Sequence, residues 1–342
     1  MMPTQHRKQA STPIIHVKAP ARLHLGFLDL NGGLGRRFGS LGITLEKPCT
    51  QLSLSTATTL SVSGQNNQRV VKYAQQFCTQ LELPTTFKIH VHQSIPEHIG
   101  LGSGTQLSLA VGLAIARYFG LSLSIREVAS LLERGARSGI GVAAFEQGGF
   151  ILDGGRAAQD VLPPPLITRI PFPNHWRILL IFDAQRQGVH GEQEVSAFRQ
   201  LQPFPEELAS HLCRLILMQA LPALALAELN RFGLAIAELQ RVVGDHFADA
   251  QGGRFSSPSV ARVLAYLEQN GIVGVGQSSW GPTGFAIVES QTQAEQLLKQ
   301  LQNQFTTVTT GLNFVICKGK NEGGSIQEEA NFTLNRQISG IQ

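Results

Sequence analysis

IPEHIGLGSGTQLSLAVGLAIARYFG, residues 95–120, sets glycines at 100, 102 and 104 directly before an apolar run. Glycine-rich backbone that runs into a helix start turns free N–H groups and the positive end of the helix dipole toward an anion. The hydroxyls of Ser103 and Thr105, followed by Gln106, add polar groups at the same point. Two familiar glycine patterns are excluded. A nucleotide P-loop requires GxxxxGK[ST], and no lysine follows here. A dinucleotide fingerprint requires GxGxxG placed directly between strand and helix, but the third glycine comes one residue early and Pro96-Glu97-His98 intervenes. The residues themselves leave two readings open: a phosphate cradle, or a tight helix entry whose glycines serve packing.

Outward from this loop, residues 14–30 alternate and read as two strands with a bend at Pro20. Residues 31–42 form a glycine-rich loop that carries Arg36 and Arg37, and short strands follow to residue 64. Residues 68–83 have helical spacing, 87–93 alternate as a strand, and Ser124 with Glu127 form a capping box. GVAAFEQGGFILDGG (141–155) reads as a small turn and then a strand. The proline-rich stretch 161–176 marks a domain boundary. Beyond it come a strand, helices over 205–221, 222–243 and 257–270, a strand–glycine loop–strand unit, a helix and a last strand. Strands and helices mixed without regular βαβ alternation predict an α+β fold. The domain reading is a disordered N-terminus (1–12), an N-terminal domain (13–165), a C-terminal domain (172–318) and a polar tail (319–342).

The composition sets outer limits. The chain has 342 residues, 42% hydrophobic and 15% charged, with a net charge of +4. Its basic residues are scattered, with no run or aromatic interleaving that points to nucleic acid. A mild basic excess suits a small anionic substrate. The four cysteines are far apart and form no CxxC pair, which argues against a zinc site or a disulfide framework. The polar N-terminus lacks a signal-peptide core, and the apolar segments 107–119 and 212–229 are too short or too interrupted to span a bilayer. A cytoplasmic protein without membrane or nucleic-acid partners is expected, and a homodimer is compatible with the sequence.

PEHIGLGSGTQ (96–106) resembles the phosphate-binding motif of the GHMP superfamily, the galactokinase, homoserine kinase, mevalonate kinase and phosphomevalonate kinase group. KAPARLHLGFLDL (18–30) resembles its N-terminal motif, and GVGQSSWGPTGFAIV (274–288) sits where the superfamily has a C-terminal glycine-rich loop. The resemblance implies a ribosomal-protein-S5-like N-terminal domain, a ferredoxin-like C-terminal domain and an active site between them. The kinase pattern Ser-Gly-Ile-Asp is here Ser138-Gly139-Ile140-Gly141, so the base toward the substrate hydroxyl is missing. Arg22 replaces the usual lysine and His24 the usual asparagine. Arginine keeps the charge and grips phosphate but does not give up a proton. LGRRFGSLGITL, GLGSGTQ, RSGIGVAAFEQGGFILDGG and GQSSWGPTGFA together are similar to the beta-ribofuranosylaminobenzene 5'-phosphate synthase branch.

That resemblance implies decarboxylating transfer of phosphoribose from phosphoribosyl pyrophosphate to 4-aminobenzoate or 4-hydroxybenzoate, in tetrahydromethanopterin biosynthesis. Mg2+ would accompany the diphosphate, and no organic cofactor is needed. Arg22, His24, Asp29 and Glu146 are the catalytic candidates, the two carboxylates as metal or ribose-hydroxyl partners. Arg36, Arg37, Arg137 and Ser138 join the loop residues Gly100, Gly102, Ser103, Gly104, Thr105 and Gln106 as phosphate ligands. Gln277, Ser278, Ser279, Trp280 and Thr283 would line the opposite wall, with Trp280 stacked on the aromatic ring. His190, Glu192 and Glu194 would reach the site on a mobile flap. An ATP-dependent kinase with another base and a non-catalytic binding protein are the competing readings.

Overall fold

The computed structural model describes residues 13–305 and 311–329. Strands β1 (Ile14–Asp29), β2 (Phe38–Thr56), β3 (Ser61–Gly64), β4 (Phe87–Gln93), β5 (Phe150–Asp153) and β6 (Leu166–Ile170) build the first sheet, with helices α1 (Asn67–Gln80), α2 (Ser103–Tyr118), α3 (Ile125–Leu131) and α4 (Ile140–Glu146). β7 (Arg177–Asp183) opens the second unit. Helices α5 (Gly191–Gln200), α6 (Glu206–Leu215), α7 (Leu221–Ala225), α8 (Leu229–His246), α9 (Ala248–Gln251) and α10 (Pro258–Gln269) follow, with a π-helical turn, Ile216–Ala220, joining α6 to α7. β8 (Gly274–Gln277), β9 (Gly284–Val288), α11 (Gln291–Gln304), β10 (Leu312–Cys317) and β11 (Ser325–Glu329) complete the chain.

The first sheet runs β11-β1-β2-β4-β3, with β5 on β2 and β6 on β5. β1 buries Ile15, Val17, Ala19, Ala21, Leu23 and Leu25 with period 2 on its core face, and from Pro20 onward the other face is covered as well, at Pro20, His24 and Gly26. Pro20 does not split it into two strands. Its pairing with β2 shifts register between Pro20 and Arg22 and again between His24 and Gly26. Such irregularities re-aim side chains, and Arg22 and His24 lie between the two. α2 is buried nearly all round, as expected of a helix in the middle of a core. GVAAFE is a helical turn pair, α4, rather than a small turn; seven residues are too few to display a period.

The second sheet is antiparallel in the order β10-β7-β9-β8. With α10 and α11 packed on it, the chain order β-α-β-β-α-β is ferredoxin-like. The helical reading over 205–243 breaks at residues 226–228 and not at Pro222, which follows the π-helical turn directly within one continuous helical segment, Glu206–Ala225. Residues Glu206–Ala225 are apolar and long enough to cross a bilayer. They supply Ala209, Leu212, Ile216, Ala220, Ala223 and Leu224 to the core shared with β1, β2, β7 and α8.

Two further expectations change. β6 still belongs to the first sheet, so the first unit extends to residue 170. The polar tail is not separate from it: β11 pairs antiparallel with β1, from Ile14 opposite Glu329 to Lys18 opposite Ser325. Its five exposed, mostly polar residues suit an edge strand, and that composition hid it. Residues 1–12, expected to be disordered, lie outside the described residues.

Candidate active site

Between the two units lies a cleft of about 360 Å³. Its floor is the loop of Gly100, Gly102, Ser103, Gly104 and Thr105, and its walls carry Arg22, Arg69, Arg134, Arg137, Ser138 and, from the second unit, His190, Glu194, Ser279 and Trp280. Gly100 has φ +80°, and a side chain there would begin 2.3 Å from the Ser278 carbonyl oxygen. Only glycine combines that backbone with that approach. Gly102, at φ +82°, is the N-cap of α2 and offers no side-chain cap, so the first N–H groups of the helix face the cleft without a side-chain acceptor.

The second unit holds this loop in place. The Ser278 hydroxyl donates to Gly100 O (2.8 Å) and accepts from His24 N (3.0 Å), while Ser279 N donates to His24 O (3.0 Å). Arg22 donates from Nη1 to Gly100 O (2.5 Å) and its backbone N to Leu101 O (3.2 Å). Gly188 N donates to His98 O (2.8 Å), and the rings of His98 and His190 stack across the cleft mouth at 3.6 Å. Burial pushes His98 below the usual histidine range, with the neighbouring His190 adding to the effect.

Arg22 is part-buried with its Nε shielded from water, and this desolvation pulls its pKa down to about 10, with Glu194 opposing the shift. It therefore stays cationic at neutral pH. His24 is 4% exposed. Burial first, and the Arg22 charge second, lower its pKa to about 3, so it is a neutral imidazole. Arg22 Nε, His24 Nε2 and Arg134 Nε are buried without a hydrogen-bond partner. Buried polar groups are normally paired, and three orphans among the residues lining the cleft mark where a polar ligand fits.

A smaller aromatic pocket opens from the cleft. It shares His24, Phe27, Ser279 and Trp280 with it and adds Gly26, Gln240, Val243, Gly244, Phe247, Gln251, Gln277 and Arg254, the last paired with Asp245 (2.7 Å). Trp280 meets Phe247 edge-on at 4.7 Å and Phe198 at 5.5 Å. Its indole N–H donates to Glu194 Oε1 (3.2 Å), which also pairs with Arg137 (2.8 Å). His190 and Glu194 thus reach the cleft, but Gly191–Gln200 is a helix where a flap was expected, and the exposed Glu192 does not line the cleft.

Several sequence candidates sit elsewhere. Asp29 accepts from Gly32 N (2.8 Å), closing a turn away from the cleft, and Glu146 ends α4 outside it. Arg36 is spent on Gly154 O, Gly155 O and Asp160, and Arg37 on Leu30 O. These arginines clamp the 31–42 loop to the β5 end and do not reach the cleft. Gln106, fully buried, donates to Gly141 O (2.6 Å) behind the loop. Ser278 and Thr283 are fully buried and support the wall without lining it, and Gln277 lines the aromatic pocket only. Arg69, Arg134, His98, Phe27 and Phe247 were not legible as site residues. Arg69 lies in the first turn of α1 and Arg134 just after α3, and nothing local distinguishes them.

Gly141, where the kinase pattern has its base, lines the cleft with α4 pressed on α2. A side chain at that position would begin 2.9 Å from Thr105 Cγ2. The packing against Thr105 is thus built for glycine, and the carboxylates that do line the cleft, Glu133 and Glu194, come from other elements, with Glu194 paired to Arg137. Among the described residues, no group of three or more His, Cys, Asp or Glu side chains is placed to hold a metal.

The comparisons agree with this architecture. Residues 68–149 match the GHMP kinases N terminal domain and residues 220–307 the GHMP kinases C terminal domain. A mevalonate diphosphate decarboxylase from Staphylococcus aureus has TM-score 0.65 at 16% identity, covering 92% of this chain and 98% of that one. A homoserine kinase from Cytophaga hutchinsonii has TM-score 0.62 at 16% identity, covering 96% and 100%. At such identities the likeness shows the fold. In sequence, the chain is 32% identical over 327 residues to a beta-ribofuranosylphenol 5'-phosphate synthase of Archaeoglobus fulgidus, covering 92% of this chain and all of that protein. It is also 32% identical over 296 residues to the protein of that name in Methanothermobacter thermautotrophicus, covering 80% of this chain and 89% of that one. A GHMP-fold cleft without the kinase base, and this degree of likeness over most of the length, have one conclusion: the chain belongs to the beta-ribofuranosylphenol 5'-phosphate synthase family.

Proposed function

We propose that this protein transfers phosphoribose from phosphoribosyl pyrophosphate to the carboxylate-bearing ring carbon of a 4-substituted benzoate, releasing carbon dioxide and pyrophosphate. The observation that carries the reading is an arginine-walled cleft continuous with an aromatic pocket, with neutral His24 at their junction. The relatives' name describes a phenol product, which favours 4-hydroxybenzoate over 4-aminobenzoate. In the reaction, the bond between the anomeric carbon and the diphosphate breaks and its electron pair leaves on pyrophosphate. The ring carbon forms the new bond, helped by electron release from the para substituent. The pair of the carbon–carboxylate bond then returns to the ring as carbon dioxide departs, so no net proton is moved.

The chain's own groups match these demands. Cationic Arg22 offsets charge on the leaving group, as preorganised charge does most effectively in a desolvated site, while Arg137 is held by Glu194. A neutral His24 leaves the carboxylate ungripped at the junction, and a fixed cation there would oppose its loss. The ring lies against Trp280 where the cleft meets the aromatic pocket, whose own volume of about 40 Å³ is too small to enclose it, and this aligns two substrates in one geometry. The described residues do not make a protein cage for a metal, so a Mg2+ ion would arrive on the diphosphate of the substrate, the usual habit of that ion. A cytoplasmic location belongs to the same reading.

The test is direct. Purified protein with phosphoribosyl pyrophosphate, 4-hydroxybenzoate and Mg2+ should release carbon dioxide and pyrophosphate in equal amounts. Trp280→Leu should raise KM for the benzoate about tenfold and leave KM for phosphoribosyl pyrophosphate near the parent value. Absence of product, with ATP consumed on an alcohol, would replace the reading with a kinase. Ligand binding without turnover in either assay would leave a binding protein.

A further inference from the structure

Resting on the phosphoribosyl-transfer reading, we propose that Arg69 and Arg134 form a second anion position over Gly104, which takes the 5-phosphate the sugar keeps, while Arg22 beside Gly102 faces the diphosphate that leaves. Arg69 comes from α1 and Arg134 from the turn after α3, and both heads converge on the start of α2. A side chain at Gly104 would begin 3.1 Å from Arg69 Nη2 and 4.0 Å from Arg134 Nη1. The two guanidinium groups therefore pack directly on the first helical turn and line the cleft beside it.

The charge there is incompletely matched. Arg69 Nη1 is paired with Glu97 (2.8 Å), and its Nη2 reaches Tyr73 Oη (3.4 Å). Arg134 stands over the Tyr73 ring at 5.1 Å. Among the described residues Arg134 has no carboxylate partner, and its Nε is buried with nothing to donate to. A guanidinium fork with free donors at a helix N-terminus fits an oxyanion, and the 5-phosphate is the oxyanion that the sugar keeps.

The division between the two phosphate ends follows from position. The cleft and the aromatic pocket meet at His24 and Trp280, and ring and anomeric carbon must meet there too. Arg22 precedes His24 by two residues on β1, and its guanidinium lies 3.3 Å from where a Gly102 side chain would begin. Arg69 and Arg134 line the cleft but not the aromatic pocket. The glycine loop is therefore shared by two anions, with the reacting one at its Arg22 end and the retained one at the Gly104 end.

Calorimetric titration of the full chain with two unreactive probes, ribose 5-phosphate and inorganic pyrophosphate, separates the positions. The double variant Arg69→Met/Arg134→Met should weaken ribose 5-phosphate by about tenfold or more and pyrophosphate by less than about threefold. Arg22→Met should do the reverse. Equal weakening of both probes by the double variant, or none of ribose 5-phosphate, overturns the proposal. Should that variant fail to fold by circular dichroism, Arg69→Lys and Arg134→Lys keep the charge and lose the fork. Each should then weaken ribose 5-phosphate several-fold, and unchanged affinity in both overturns the proposal. Turnover is scored apart: wild-type protein that binds ribose 5-phosphate through these arginines yet makes no product refutes the transferase and not the anion position. Product formed with both arginines silent in binding refutes the anion position and not the transferase.

Discussion

His24→Asn should remove a specific part of the acid sensitivity of this fold. His24 is buried, its Nε2 has no partner, and its pKa falls to about 3. In the unfolded chain a histidine titrates near 6.5, so between pH 6.5 and 3 the unfolded state binds a proton that the native state does not. Stability contributed by this group is therefore intact above pH 6.5 and declines as pH falls toward 3. At pH 5 the unfolded state gains about RT ln(1 + 10^1.5), roughly 2 kcal/mol, and a native pKa of 4 in place of 3 alters that figure by less than about 0.1 kcal/mol. Urea unfolding of parent and variant at pH 7 and pH 5 gives a double difference in which the other nine histidines cancel. The loss of stability from pH 7 to pH 5 should be smaller in His24→Asn by about 2 kcal/mol. An identical loss in both proteins would show that His24 is protonated or solvated in the native state. The neutral junction assigned to it in the reaction would then be wrong.

Two further outcomes follow from the geometry. Gly141→Asp, which restores the kinase sequence pattern, should not create a kinase: its side chain would begin 2.9 Å from Thr105 Cγ2 and press on the glycine loop. Overpacking and a buried charge should cost about 2 kcal/mol or more and abolish synthase turnover; ATP-dependent phosphorylation by this variant would refute the packing argument. Ser278→Ala removes the hydroxyl that joins Gly100 O to His24 N, and denaturant unfolding should show a loss of about 1–3 kcal/mol. Because the same bridge sets the loop against β1, KM for phosphoribosyl pyrophosphate should rise as well, and an unchanged KM would separate the bridge from the site.

Local pattern carried much of the architecture. The alternation of β1, the apolar length of α2 and the proline-rich stretch near 161–176 are short-range signals, and each corresponds to a structural feature. Where short-range signals were thin, the reading changed. α4 is too short to show a period, and β11 is an exposed edge strand whose residues carry no buried face. Arg36 and Arg37 show the same limit at the site. Paired arginines in a glycine loop look like anion ligands, but Gly154 O, Gly155 O, Asp160 and Leu30 O already occupy their donors.

Residue order alone places a glycine loop before a buried helix, sets Arg22 and His24 on one strand, and leaves the kinase base position at Gly141 without a side chain. These are covalent facts or follow from a few neighbouring residues. Folding is needed to bring Arg69 and Arg134 together over Gly104, to tie Ser278 of the second unit to Gly100, and to line one pocket with Trp280, Phe247 and His24. Those meetings join residues far apart along the chain. A side chain's direction is set by its own backbone, but what it meets is set by the packing of elements distant in sequence.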